Sequence, residues 1–192
     1  MTRAVRATTI RRAVAVATVL AVAALAAACG STSTTSGPAA TTGPATTGNP
    51  AQGCPFTGTT APTSGHAQTQ VATSLTKVTP RKTDCIDNVQ FDFSPGVPAW
   101  SVGYQPGPFT DTATGKTVSV PGSSYLVVQF QGVDSTYSGP TTVVPSSLNY
   151  VQQVSLVTGA NGTVDWIIGL PQKLAYTTSV SSTPAYFVLG LG

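Results

Sequence analysis

The sequence predicts an all-β domain over residues 71–192, a small β-sandwich or partly open barrel, and three observations carry that prediction. This region holds 13 of the chain's 14 aromatic residues, and neither Glu nor Met. Val and Thr are abundant there while strong helix formers are scarce. Short runs alternate apolar and polar residues with a period of two, and clusters of Pro and Gly separate them.

The runs follow in order. Val89, Phe91 and Phe93 share one face of a strand, with Gln90 and Asp92 on the other. Trp100, Val102 and Tyr104 alternate next, then Leu126, Val128 and Phe130. Val154 and Leu156 form one face of a further run, and Val164, Trp166, Ile168 and Leu170 follow. The last run places Tyr186 and Val188 opposite Phe187, Leu189 and Leu191, which predicts a strand buried on both sides. Breakers fall between the runs at Ser94–Pro98, Gln105–Pro108, Pro121–Gly122, Ser138–Pro140 and Gly159–Gly162. Asn161-Gly162 between two alternating runs is a hairpin signal. A domain of 122 residues can bury a self-sufficient core.

Upstream, residues 1–28 have the form of a secretory signal peptide. Arg3, Arg6, Arg11 and Arg12 give a positive start, and the uncharged stretch Ala13–Ala28 is shorter than the ~20 residues a spanning helix needs. Leu25-Ala26-Ala27-Ala28-Cys29-Gly30 resembles a bacterial lipobox, so Cys29 is the expected lipid attachment site. The competing reading is a secreted chain cleaved after Ala28 with a free Cys29. Removing Cys29 from the count leaves Cys54 and Cys85, an even pair expected to form a disulfide in an exported chain. Closing that loop would restrict the unfolded chain by roughly 3–4 kcal/mol.

Residues 29–70 are expected to be a tether. From Gly30 to Gly53 every residue except Asn49 and Gln52 is Ser, Thr, Gly, Pro or Ala. Such a segment buries too little apolar surface to offset its ordering entropy. Random-coil scaling puts its reach on the order of 25–30 Å. Residues 55–70 continue the bias and include His66, the only histidine.

Charge and residue types exclude several function classes. Nine Lys and Arg stand against six Asp, but four of the nine belong to the signal peptide, which leaves 5 − 6 = −1. A basic nucleic-acid binder needs the reverse. Residues 71–192 contain no His and no Glu, so a Ser-His-Asp site and a zinc hydrolase site both lack their parts. The Asp residues are scattered. Asp84 and Asp87 flank Cys85 in an expected turn, and Asp111-Thr112-Ala113-Thr114-Gly115 has the form of a turn in which the Asp bonds its own backbone. The expectation is therefore a non-enzyme without metal or cofactor.

Binding chemistry remains. Trp100, Tyr104, Tyr125, Tyr150 and Trp166 could offer rings to the C–H faces of a sugar, with Asp92, Gln90, Gln129 and Gln131 as polar partners. Core packing is the competing reading for both Trp residues, since each lies in an apolar stripe. Lys77, Arg81 and Lys82 around Pro80 have the look of a solvated loop, or of a patch for anionic polymers.

Five segments in order carry a family resemblance. Asp87–Ser94 with Gly96–Tyr104 resembles the paired strands "DRVVFEF" and "GVPxYxVxY" of the AMIN-like domain of actinobacterial lipoproteins. Pro121–Gly132, Tyr137–Pro140 and Trp166–Leu170 resemble its later segments. Asn88 and Trp100 depart from the usual Arg and Tyr. The resemblance implies a small β-sandwich that binds cell-wall polysaccharide or an envelope partner; the lipobox adds an expected place on the outer face of the cell membrane, and a monomer is expected. The alternative is a carrier or sensor lipoprotein that holds a small apolar ligand between its sheets. Aromatics that line an exposed groove would favour the first, and an enclosed apolar cavity the second.

Overall fold

The computed structural model describes residues 55–134, 136–159 and 163–192. Twelve strands follow in chain order: β1 (Thr63–Gly65), β2 (Ser74–Thr83), β3 (Ile86–Ser94), β4 (Ala99–Tyr104), β5 (Phe109–Thr110), β6 (Thr117–Val118), β7 (Ser124–Gln131), β8 (Thr142–Val143), β9 (Gln153–Thr158), β10 (Thr163–Leu170), β11 (Tyr176–Ser182) and β12 (Ala185–Leu191). A six-stranded sheet runs β1-β4-β7-β10-β9-β8, and a four-stranded sheet runs β11-β12-β3-β2. All their neighbouring strands are antiparallel, and the two sheets pack as a sandwich.

The period-two runs form the interior. Val89, Phe91 and Phe93 meet Leu126, Val128 and Phe130 from the other sheet, with Trp166, Ile168 and Leu170 beside them. The rings interlock edge to face: Phe91 lies 5.2 Å from Phe130 and 5.7 Å from Trp166, and Phe93 lies 4.9 Å from Phe130. Such offset contacts favour aromatic pairs beyond their buried area. Strands β9 and β10 pair antiparallel as the hairpin signal requires, although Asn161 and Gly162 lie outside the described residues.

Three expectations change. β12 is buried on one side only: Phe187, Leu189 and Leu191 face the core, while Tyr186 and Val188 are half-buried on the outer face. Lys77, Arg81 and Lys82 are not in a loop but exposed on β2, an edge strand. The ordered domain also starts before residue 71. Thr63, Ser64 and Gly65 pair with Val102, Ser101 and Trp100, and Thr59 exchanges two 2.9 Å backbone hydrogen bonds with Tyr176.

This N-terminal arm is held by specific contacts rather than by apolar mass. The Tyr176 hydroxyl, on a wholly buried ring, donates to the carbonyl of Ala61 at 2.5 Å. Gly65 crosses the Trp100 indole so closely that a Cβ would stand 2.5 Å from it, so only glycine fits. The Phe56 ring covers Gly192, where a Cβ would stand 2.6 Å from its Cγ. The arm thereby joins the β11 edge of one sheet to the β4 side of the other.

Asp87 organises the same end of the sandwich. Its buried carboxylate accepts backbone hydrogen bonds from Asn149 (3.0 Å), Tyr150 (2.6 Å) and Val151 (3.0 Å). Three consecutive N–H groups are thus satisfied by one anion at the start of β3. The expectation of a turn at Asp84 and Asp87 holds for Asp84, which has φ 54° between β2 and β3. Asp87 itself is in the strand.

Candidate functional site

The outer face of the six-stranded sheet is divided in two. A hairpin of β5 and β6 lies over one half, where Phe109, Val118 and Val120 pack on Val127, Val157 and Ile167 as a second small core. Asp111 fixes the hairpin in place. Its Oδ1 accepts from the Thr114 N–H and hydroxyl, both at 2.8 Å, and its Oδ2 accepts from the Thr158 N–H at 2.8 Å. The Thr158 backbone bond, then the Thr114 hydroxyl, pull its pKa down to about 2. The Asp-centred turn expected from the sequence is present, with an added tie to the end of β9.

The other half of that face is open and forms a groove of about 410 Å³. Pro62, Thr63 and Ser64 wall one side, Gln105 closes one end, and Ser101, Gly103, Val127 and Gln129 make the floor. The strand register explains this arrangement. Ser64, Ser101, Gln129 and Asp165 stand in one row across β1, β4, β7 and β10. Gly103, Val127 and Ile167 stand in the next. Because side chains alternate across a strand, these residues face away from the core stripes of Trp100, Val102, Val128 and Trp166.

Behind the groove, Gln129 Nε2 donates to Asp165 Oδ1 at 3.0 Å, which fixes the orientation of the Gln129 amide. Burial raises the Asp165 pKa, and the bond from Gln129 partly opposes it. No charged side chain lines the groove. Hydroxyl and amide groups on a rigid sheet, with a small apolar patch at Pro62, suit a neutral, polyhydroxylated ligand better than an anionic polymer.

The rings and polar residues expected to form a binding set do not converge on one surface; Tyr150 is partly buried against the core. Trp166 is wholly buried, and its Nε1 has no hydrogen-bond partner among the described residues, so it offers no face to a ligand. Trp100 is half-buried on the core side, 4.8 Å from Phe187 and backed by Gly65. Tyr104 is among the residues that line the groove, but its hydroxyl is committed elsewhere: it donates to the Leu174 carbonyl at 2.7 Å and accepts from the Leu174 N–H at 2.9 Å. Tyr125 is on the outer face, but it packs at 5.3 Å on Phe109 beneath the hairpin, and its hydroxyl donates to the Gly122 carbonyl. Asp92 lies on the other sheet, where it accepts from Gln90 Nε2 at 2.6 Å. The rings are needed to fill a small core, and that requirement takes them from the surface. Of the polar partners, Gln129 alone lies in the groove; Gln131 is exposed at the far end of β7, against a separate hollow lined also by Val71 and Thr73. Cys29 and Cys54 lie outside the described residues, and Cys85 is in the turn between β2 and β3.

Sequence reasoning does not find Pro62, Thr63, Ser64, Ser101, Gly103, Gln105 or Val127 in the groove, nor Asp165 behind it. The polar side of the period-two pattern carried the signal for Ser101, Gly103 and Asp165, since each sits between core residues of its strand. Ser64 had none, because its strand resembles the tether in composition.

The AMIN-like domain family model matches residues 73–191. Neither a curated protein nor a solved structure matches the chain. The match begins within one residue of β2 and ends with β12, so it covers both sheets except β1. The chain therefore belongs to the AMIN-like domain family, which ties it to the cell envelope.

Proposed function

We propose that this protein is a non-catalytic, lipid-anchored module of the cell envelope that binds neutral wall polysaccharide through the groove beside β1. The observation that carries this reading is the row Ser64, Ser101 and Gln129: hydrogen-bonding side chains on paired strands, uncharged and open to solvent. The second component is the anchor. Cys29 takes lipid, residues 30–54 supply reach, and a Cys54–Cys85 bond clips the chain to the domain. Phe56 supports the clip, because it packs on Gly192 beside Leu191, whose strand partner is Asp87, two residues from Cys85. The chain thus enters the domain at the end where Cys85 stands.

The carrier alternative fits less well. The space between the sheets, where an apolar ligand would sit, is filled by rings of Phe91, Phe130, Phe187 and Trp166 at centroid distances of 5.2–6.1 Å.

The test is sedimentation of the Cys29→Ser chain with purified cell walls. A few groove hydrogen bonds predict weak binding, with a Kd in the range of about 10 µM to 1 mM. Gln129→Ala and Ser101→Trp should each weaken it by about tenfold or more, while Thr79→Ala on the other sheet should leave it unchanged. Wall binding indifferent to both groove variants would refute the groove. Absence of wall binding, with an apolar ligand co-purifying, would replace this reading by the carrier one.

A further inference from the structure

We propose that β11 is a self-association edge, at which two copies of this chain pair their β11 strands antiparallel about a two-fold axis through Val180. The argument starts from hydrogen-bond direction. Tyr176 exchanges both its backbone bonds with Thr59, so its N–H and C=O point away from β12. In an antiparallel ladder this orientation recurs every second residue. The N–H and C=O groups of Thr178, Val180 and Ser182 therefore also point outward, and β11 is the edge of its sheet. No backbone partner faces them among the described residues.

Exposed edges are ordinarily blunted by charge, Pro, bulges or short length. The other three edges of the two large sheets show those devices. β2 carries Lys77, Pro80, Arg81 and Lys82, with a register shift between Leu75 and Lys77. β1 has three residues and β8 has two. β11 has seven residues, Tyr-Thr-Thr-Ser-Val-Ser-Ser, with no charge, no Pro and no shift in register. Among the described residues Val180 is one of three large apolar side chains left exposed, at 38%.

The sequence of the edge selects its occupant. Around Val180 it is nearly palindromic: Ser179 and Ser181 flank it, then Thr178 and Ser182. Antiparallel self-pairing places Val180 opposite Val180, Ser179 opposite Ser181 and Thr178 opposite Ser182. Apolar then meets apolar and hydroxyl meets hydroxyl, the pairings that stabilise neighbouring strands. The three outward residues of each copy exchange six backbone hydrogen bonds. The register also stops where it must. β11 ends at Ser182, and the turn at Thr183-Pro184 carries the second copy away before it reaches Tyr176, so Thr59 keeps its place. The contact is isologous and closes on itself as a dimer.

Cysteine cross-linking of the full chain in membranes tests this. Paired outward residues have Cα atoms about 5.5 Å apart, within disulfide reach. Under copper-phenanthroline oxidation Val180→Cys should give a band at twice the chain mass, while Lys77→Cys on the blunted edge and the unsubstituted chain should not. A Val180→Cys chain that stays at monomer mass, or cross-links to a protein of another mass, overturns self-pairing. As a second measurement, Val180→Lys sets like charges against each other at the axis. It should raise the dimer Kd at least tenfold in sedimentation equilibrium, with an unchanged thermal midpoint at concentrations where both chains are monomeric. An unchanged Kd, or an unsubstituted chain that is monomeric throughout, also overturns the proposal.

Discussion

Tyr150 donates its backbone N–H to the carboxylate of Asp87 at 2.6 Å, across 63 residues of sequence. With the N–H groups of Asn149 and Val151 on the same carboxylate, this contact fastens the loop before β9 to the start of β3. Asp87→Ala removes the acceptor and leaves its backbone donors buried without one. A loss of at least about 3 kcal/mol is expected, from ~1–3 kcal/mol for each unsatisfied group. Asp87→Asn keeps the shape but turns an amide N–H toward a donor, and it should fall between the two. Urea unfolding at neutral pH measures both; a loss below 1 kcal/mol for the Ala variant would contradict the account.

The hairpin tie at Asp111 gives a pH dependence with a defined sign. Its folded pKa of about 2 lies below the ordinary aspartate value of 3.8, so the unfolded chain binds its proton more readily. The stabilisation is complete above pH 3.8 and is lost as pH falls toward 2. Amide chemical shifts of Thr114 and Thr158 in the folded protein should titrate together with a midpoint near 2. In Asp111→Asn the shared acid transition should vanish.

Asp165 should behave in the opposite sense. Its raised pKa means that burial penalises the charged form, so its ionisation opposes folding as pH rises through the carboxylate range. Asp165→Asn preserves an acceptor for Gln129 and should leave stability at pH 7 equal or higher. Thermal melts of the two proteins at pH 7 and at pH 4 check this; a lower midpoint for the variant at pH 7 would refute it.

Tyr176→Phe should release the arm while sparing the core. The lost hydroxyl leaves the carbonyls of Ala61 and Val102 without its hydrogen bonds, at a cost of about 1–3 kcal/mol. Hydrogen exchange at Thr63–Gly65 should accelerate well before exchange in β7 and β10.

The anchor makes two covalent predictions. Cys29→Ser should move the chain from the detergent phase to the aqueous phase, because two or more acyl chains bind a membrane stably at ~0.8 kcal/mol per buried CH₂. A non-reduced digest should show one linked pair of peptides holding Cys54 and Cys85. Thiol labelling of both in native protein would exclude the bond.

The core stripes were legible because burial on one face writes a period of two into the chain, as in Val89-Gln90-Phe91-Asp92-Phe93. The arm was not, because Pro62-Thr63-Ser64-Gly65 has the composition of the tether before it, and its order comes from Tyr176 and Trp100, far away in sequence. β5, β6 and β8 are two residues each, too short to show a period. Aromatic residues in a sequence suggest sugar platforms, but a core this small consumes its rings. The groove instead uses polar residues between the stripes, and their meaning appears only when the register sets Ser64, Ser101 and Gln129 in one row.

The docked arm also decides how the domain meets mechanical load. Tension on the chain N-terminal to Pro55 is delivered at Phe56 and Thr59, beside the last residues of β12. The first bonds to bear it are the two between Thr59 and Tyr176 and the one from the Tyr176 hydroxyl to Ala61. β1 peels next, from its Thr63 end, a few bonds at a time, while the long ladders of β7 with β10 and β3 with β12 carry none of the strain. A bond between Cys54 and Cys85 would reroute the pull into the β2–β3 turn and bypass the arm entirely. Reduction would then turn a stiff coupling into a compliant one that yields some ten residues of slack before the sandwich itself is loaded, a difference that force spectroscopy would record as a low-force step present only in reductant.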